Sequence, residues 1–505
     1  MTSILDLPSE ALATVFEIGV HVWGVGYLHH ASLVCKDWHW VAISYPHLWG
    51  IINVDRSVDS SRCLQLQQQL VRAKGAPLDI TCHTSNNNWP KIKNLIPIFK
   101  RLRQNFVRLE VSIPFLLATD CTCDNIRNGL DVLDLSWGGQ NPTAYVDTEF
   151  FEDREGWSRP RLHSFTARSL PPSWIAPFLS PFITRFRLYK TSNRRPSHVS
   201  STSPITETLQ YLAKVPNVRH LELEGLKAYR RTGGPPVPEH DTSLKVSLAH
   251  LQNLEITDVS FQSSILCGIE APCLQTLAIR NSENNDWRWD AFIHDFSQLF
   301  SDSPADIRIE TGSFSLTPLF LQWSNPQVIP TNLNTLELSN VLCVDDIPFL
   351  IKWLQRLPNL VRLIINDADN TLDRDLAAGS KQNRSMAEQA VDTQDIQRNL
   401  CHALSRPTLN PSTGIVEWVC PLLTILHLGD VEIRAKSLMA ITRARGGLRL
   451  VADFSNKHAT PAPARLHRLT MQICQHLSQE DNTELQALVK EVGCTCLACS
   501  FQDAL

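Results

Sequence analysis

Apolar residues recur along most of the chain in one short cadence, apolar-x-x-apolar-x-apolar. It occurs as FVRLEV from Phe106, LDVLDL from Leu130, LHSFTA from Leu162, ITRFRL from Ile183, VRHLEL from Val218 and LQNLEI from Leu251. It continues as LQTLAI from Leu274, LNTLEL from Leu333, LVRLII from Leu360, LTILHL from Leu423 and LHRLTM from Leu466, with a poorer copy at Ile307-Arg308-Ile309. Copies start about 21 to 35 residues apart over most of this stretch, the interval at which one strand plus a returning segment makes one solenoid turn. The alternation predicts strands whose fourth and sixth positions point inward and whose third, fifth and seventh face the other way. IINVD from Ile51 and PLDIT from Pro77 read as earlier, degenerate turns. SRCLQLQQQLVRAKG from Ser61 and QRNLCHALSR from Gln397 read as helices of the opposite side. Asp258, Asn281, Asn340, Asp367, Asp430 and Gly225 stand two places past the last apolar position, where a chain turns off a strand.

The first fifty residues follow a different rule. Leu12, Val15 and Phe16 recur at helical spacing behind Asp6 and Pro8, which predicts a helix start. Leu28, Ala31, Val34, Cys35 and Trp38 share one face of a second helical run from Tyr27 to Trp40, and a third short segment reaches Pro46, Leu48 and Trp49. The stretch LVCKDWHWVAISYPHLW from Leu33 packs three tryptophans into seventeen positions. A unit of about 45 residues cannot bury that many large side chains by itself, so part of its apolar surface is expected to meet a partner.

In order and spacing, Leu7-Pro8-x-Glu10, Val15-Phe16, Leu33-Val34-Cys35-x-x-Trp38, Val41-Ala42 and Pro46-x-Leu48-Trp49 resemble the F-box. That three-helix module docks onto the Skp-family adaptor of cullin-RING ubiquitin ligases. Where family members often carry a proline and an acidic residue before the second helix, this chain has a loop from Gly19 to Gly26 and the run HVWGVGY. The repeats behind it resemble a divergent leucine-rich repeat, and the combination is similar to the large F-box families of mushroom-forming fungi. The resemblance implies an α/β chain with a short three-helix F-box, followed by an irregular leucine-rich-repeat-like solenoid with a parallel sheet on its concave face. It divides the chain into residues 1–50 for docking, 51–480 for the array, and 481–505 for a cap or tail. It also implies a role as substrate-recognition subunit of an SCF-type ubiquitin ligase, working with the cullin and RING subunits through the adaptor. Leu7, Pro8, Val15, Phe16, Leu33, Val34, Cys35, Trp38, Leu48 and Trp49 are then the adaptor-binding or F-box-core set. An interaction scaffold that uses the F-box for something other than ubiquitin transfer is the alternative, and an enzyme hidden in the array is a third.

The outward strand positions are where a target protein would be recognised. Position three carries Arg108, Arg185, His220, Arg362 and Arg468; position five carries Glu110, Asp134, Glu222, Glu255 and Glu337. In register, these make a basic row beside an acidic one, so Arg185, His220, Glu222, Glu255, Glu337 and Arg362 are candidate substrate contacts. Either the acidic row attracts a basic segment, or the face is solvated and laced with weak lateral ion pairs. Polar insertions near 190–205, 228–243 and 369–395 cannot bury a core and read as surface loops.

Composition then narrows the classes. With 43% apolar and 19% charged residues and a formal charge of -4, the chain has no global basic field for nucleic acid. The run from Ile18 to Val34 is too short and too polar to span a membrane. No cleavable signal is expected, and the fourteen cysteines are scattered, which favours reduced thiols and a cytoplasmic or nuclear setting. Cys494, Cys496 and Cys499 form CTCLAC but need a fourth zinc ligand, and thiol packing is the simpler expectation. No glycine-rich phosphate loop, G-x-S-x-G elbow or H-E-x-x-H helix occurs, so neither catalysis nor a cofactor is expected.

Overall fold

A parallel strand cannot pair with its chain neighbour through a tight turn, so each needs a crossover before the next strand can dock. The computed structural model shows that arrangement repeated along the chain. It describes residues 7–54, 60–82, 96–102, 105–118, 129–136, 161–170, 172–189, 204–226, 244–257, 265, 268–281, 306–311, 333–339, 347–366, 399–409, 416–429, 433–446, 463–471, 474–475 and 478–494. Two units divide the chain, Met1–Lys227 and Ala228–Leu505, so the N-terminal helices belong to one unit with the first strands.

In the first unit, β1 (Ile51–Val54), β2 (Leu78–Cys82), β3 (Phe106–Ser112), β4 (Val132–Ser136), β5 (Ser164–Arg168), β6 (Arg185–Tyr189) and β7 (His220–Glu224) pair in chain order, every pair parallel. The fourth positions Leu109, Leu133, Phe165, Phe186 and Leu221 form one continuous row, and all are buried. Val111, Leu135, Ala167, Leu188 and Leu223 form a second buried row. Each large side chain in these rows contributes about 1.5–3 kcal/mol by leaving water. Phe165 and Phe186, register partners, stack at 6.0 Å, and Phe178 closes on Phe165 at 5.6 Å from the returning segment.

The second unit repeats the plan. β8 (Val246–Ser247) pairs with β10 (Ile269–Glu270), β15 (Thr408–Leu409) with β16 (Val416–Glu417), and β18 (Ile433–Arg434) with β20 (Cys474–Gln475). The main ladder is β9 (Asn253–Thr257), β11 (Thr276–Asn281), β12 (Asp306–Thr311), β13 (Thr335–Ser339), β14 (Arg362–Asn366), β17 (Ile425–Gly429), β19 (Arg468–Met471) and β21 (Glu491–Cys494), all parallel. Every copy of the apolar cadence lies in one of these strands, as do both degenerate turns. The poorer copy at Ile307 is a full member, β12.

The C-terminal segment differs from a simple tail. A helix Gln479–Leu488, opened by a reciprocal Ser478–Asp481 capping box, leads into β21, which pairs with β19. EVGC holds only one large apolar residue, so the cadence does not reveal it. Gly225 leaves β7 at φ +68 as expected for the turn, whereas Asn281 is still in its strand; Asp258, Asn340, Asp367 and Asp430 lie outside the described residues. So do the polar insertions, apart from the start of the helix Pro204–Ala213. The predicted helices are present as α4 (Ser60–Ala73) and as residues 399–405.

The N-terminal helices depart from expectation in two places. α1 (Ser9–Trp23) runs through Gly19 and ends at Gly24, whose φ is +76, so the predicted loop begins five residues late. Gly19 is needed because a Cβ there would run into the Tyr27 ring. The run from Tyr27 to Trp40 is not one helix but two, α2 (Gly26–Ala31) and α3 (Lys36–Ser44), broken at extended Cys35. Consequently Leu28 and Ala31 face inward while Val34, predicted on the same face, is exposed. Asp6 lies outside the described residues, and α1 starts at Pro8 without a side-chain cap.

A short 3-10 turn, Pro46–Trp49, joins these helices to β1. The buried Trp49 indole donates to the Ala42 carbonyl at 2.7 Å, and Arg72 of α4 lies 4.4 Å from its ring. Buried Gln69 donates to the carbonyls of Trp49 and Ile51 at 3.1 and 2.7 Å, so α4 holds the helices and the first strand together. Gly50 allows the close approach, because any Cβ there would meet the Pro77 carbonyl, and the Asp79 amide donates to the Gly50 oxygen at 3.0 Å.

In the second unit a buried cation does comparable work. Arg445, 1% exposed at the end of the helix Ala435–Arg445, makes five hydrogen bonds to the carbonyls of Leu404, Val419, Cys420 and Leu423. Cys420 sits at φ +49, a left-handed conformation a cysteine adopts only under constraint. Burial pushes the guanidinium down to about 10, with the Cys420 thiol opposing, and it stays charged at neutral pH. Arg445→Met removes a donor from four buried carbonyls, of which that of Cys420 keeps the Leu423 amide. It is expected to destabilise the second unit by about 3–5 kcal/mol, seen as a lower urea midpoint and faster amide exchange across 435–445. A variant within about 0.5 kcal/mol of the parent would show that desolvating the cation cancels its bonds.

Candidate docking surfaces

Two surfaces in the first unit carry features beyond packing. The first is the outer side of the N-terminal helices. Phe16 is fully buried, with Tyr27 at 6.1 Å and Trp38 at 5.2 Å edge-on to it, and Leu12, Val20, Leu28, Val41, Leu48 and Trp49 complete the core. That core is finished, yet large apolar residues remain outside it. Of the fourteen exposed large hydrophobics among the described residues, nine lie between Leu7 and Ile43. Leu33 is 84% exposed, Trp23 69%, Val22 63% and Trp40 58%, with Val15, Ile18, Val34 and Ile43 beside them in sequence. An exposed leucine alone means little, but nine such side chains concentrated in under forty residues mark a surface that water does not favour.

The structure divides the predicted adaptor-binding set. Leu7, Pro8, Val15, Leu33 and Val34 are exposed; Cys35 and Trp38 are half-buried; Phe16, Leu48 and Trp49 are core residues with no face left for a partner. Ile18, Val22, Trp23, Trp40 and Ile43 belong to the exposed group and were not among those residues. Their signal was present: Val15, Ile18 and Val22 repeat at three and four on the side of α1 opposite Leu12, Phe16 and Val20.

The second surface is the outward side of the strands. The predicted acidic row does not form a continuous patch. Arg187 stands between Thr166 and Glu222 in the fifth-position row and pairs with Glu222 at 2.9 Å. Tyr189 donates to the same carboxylate at 2.8 Å, and burial together with that bond pushes its hydroxyl up to about 12. Arg168 grips Asp134 through two nitrogens and lies 4.5 Å from the Tyr189 ring. Arg108 approaches Asp79 at 3.8 Å. The same solution recurs within the second unit, where Arg308 pairs with Glu337 at 3.5 Å and Arg280 with Glu255. Like charges stacked in parallel strands about 4.8 Å apart repel, and these arginines relieve that repulsion, although Glu110 and Asp134 remain direct register neighbours.

Of the predicted substrate contacts, Glu222, Glu255 and Glu337 are therefore neutralised by arginines that the row-by-row reading passed over. Arg362 lies beside Thr335 and Ile425. Arg185 and His220 are brought together as register partners on β6 and β7. Lining up the copies position by position would have exposed Arg187 and Arg308 in the acidic row and Arg168 and Arg280 two places on.

Chemistry of other kinds finds little to build on. Burial pushes the Cys82, Cys401 and Cys420 thiols up to about 12, which leaves them protonated. No group of three or more His, Cys, Asp or Glu residues is placed to hold a metal among the described residues, and Cys496 and Cys499 lie outside them. No helix among the described residues is long and apolar enough to cross a membrane.

No family model matches the chain, and no curated protein does. Among solved structures, the chain is similar to a Bacteroides fragilis protein determined as a structural-genomics target. That similarity spans 61% of this chain and 74% of that one, at 9% identity and a TM-score of 0.27, too distant to bear on function.

Proposed function

We propose that the N-terminal helices are an F-box that docks onto a Skp-family adaptor, and that the strand array behind them captures a protein target for an SCF-type ubiquitin ligase. The observation that carries this reading is the apolar surface left over after the helical core is complete, Leu7 through Ile43. It coincides with the stretch whose residue order resembles the F-box. The buried half of the motif, Phe16, Leu48 and Trp49, supports the reading from the other side, because those residues shape the module and tie it to β1.

In this role the chain makes and breaks no bonds. It acts by proximity: a target held near a ubiquitin-charged enzyme has its lysines at a high effective concentration, and other subunits do the chemistry. A cytoplasmic or nuclear setting follows from the role.

The test is co-expression of the full chain with a Skp-family adaptor, followed by affinity capture. Leu33→Asp combined with Val34→Asp changes only exposed side chains, and is expected to lower adaptor capture at least about a hundredfold with the thermal melt unchanged. Leu7→Ala with Pro8→Ala is expected to act in the same direction. Trp49→Ala removes a buried ring and its hydrogen bond, so it should cost about 3–5 kcal/mol of stability and lose capture through unfolding. Undiminished capture by the Leu33/Val34 variant would overturn the docking assignment.

A further inference from the structure

Histidines crowd the N-terminal helices. Five of the chain's seventeen, His21, His29, His30, His39 and His47, lie within residues 21–47, and all five are exposed. Their settings differ. His21 stands four places after Glu17 on α1, and its field reaches the Asp79 carboxyl, so acidic groups attend it. His47 lies edge-on to Tyr45 at 5.6 Å in the 3-10 turn. His29 and His30 end α2, and their carbonyls build the turn that follows. The Ser32 hydroxyl donates to the His29 oxygen at 2.8 Å, and the Leu33 amide donates to the His30 oxygen at 3.1 Å. That turn displays Leu33 and Val34, 84% and 59% exposed.

The surroundings of these two rings do not favour a cation. His30 Nδ1 donates to the Gly26 carbonyl at 3.0 Å, so Nε2 is where a further proton would go. His29 stands edge-on to Trp49 at 5.7 Å, and the Arg72 guanidinium lies 4.4 Å from the same indole. Of the helices packed against α2, α1 carries Glu10, Glu17 and His21, and α3 carries Lys36, Asp37 and His39. Among the described residues, no carboxylate forms an ion pair with His29 or His30.

We propose that His29 and His30 make attachment to the adaptor proton-dependent: the adaptor covers them as neutral rings, and acidification releases it. The proposal rests on reading the N-terminal helices as the docking module. Because the two histidines form the turn that presents Leu33 and Val34, a partner that covers those apolar side chains also covers the rings beside them. Apolar cover disfavours the charged form of an imidazole, so docking selects the neutral one. Attachment is therefore at full strength above the ordinary imidazole range, around about pH 6.5, and weakens as the pH falls through it. Arg72 adds to the cost of a charge on His29.

The experiment measures binding of the full chain to an immobilised Skp-family adaptor from about pH 7.5 to about pH 5.5. Affinity is expected to fall about tenfold for each imidazole covered, hence about a hundredfold for both. His29→Gln and His30→Asn, which cannot protonate in this range, should each leave about a tenfold fall, and the double variant should hold affinity within about threefold. His21→Gln with His47→Gln should keep the dependence of the parent. A parent affinity that stays within about threefold across the range, or that strengthens in acid, would overturn the proposal. A fall that the double variant shares in full would overturn it too, since titration of the adaptor or acid unfolding would then be the cause. Absence of binding by the parent at the neutral end sinks the docking assignment instead.

Discussion

The rest of the structure depends on registered pairing between parallel strands that are distant in sequence. Each strand is too short to stand alone and has no hairpin partner, so its two inward residues are buried only when the next repeat is laid beside it. Register then propagates. Once Leu133 lies against Phe165, and Phe165 against Phe186, the outward residues are also stacked at fixed spacing, whatever their charges. The alternation of Arg187 with Glu222 and of Arg308 with Glu337 follows from that stacking. Half-exposed pairs of this kind contribute well under about 1 kcal/mol each. Their effect is to remove a repulsion that the hydrophobic register would otherwise impose.

The N-terminal helices answer a different constraint. They have one side closed and one side open. The closed side is specified to the atom: Trp49 bonds back to Ala42, Gln69 bridges Trp49 and Ile51, and Gly50 is small enough for the Pro77 carbonyl to lie against it. The open side has no such detail, only apolar area on α1, after α2 and along α3. A surface that gains most of its binding energy from burying such area needs a partner of matching shape, which suits the attachment proposed for it.

The sequence announced the array more fully than the helices, and the difference has a physical cause. Period two is unmistakable in LNTLEL or VRHLEL because both inward positions must be large and apolar in nearly every strand. β21 escaped because Glu491–Cys494 closes the ladder with Val492 as its one large apolar residue. In the first fifty residues the helical period predicted helices but misplaced their ends, since Gly19 serves a contact with Tyr27 and Cys35 breaks the second run without proline or glycine to mark it. The candidate site was legible in part. Arg185 and His220 could be named as neighbours from spacing alone, whereas Leu33 and Val34 were singled out by the resemblance, and helical spacing placed Val34 with the buried Leu28 and Ala31. The carboxylate pairing was legible where the partners share a register row, as in Arg187 with Glu222, and not where they sit two positions apart on neighbouring strands, as in Arg168 with Asp134.

The two surfaces differ in how freely they can change. In a ladder, a strand's stability depends on itself and its immediate neighbours, so altering outward residues of β6 and β7 leaves the burial rows untouched and perturbs little else. The N-terminal helices have no such freedom: Trp49, Gln69 and Gly50 couple their core to β1, and a change there is felt in both. On the proposed reading, a chain built this way can vary what its strands recognise while holding its attachment fixed. The contrast is visible in the residues themselves, where the helix-to-sheet junction uses a buried tryptophan, a buried glutamine and an obligatory glycine, and the strand face uses arginines and carboxylates that solvent screens and substitution readily exchanges.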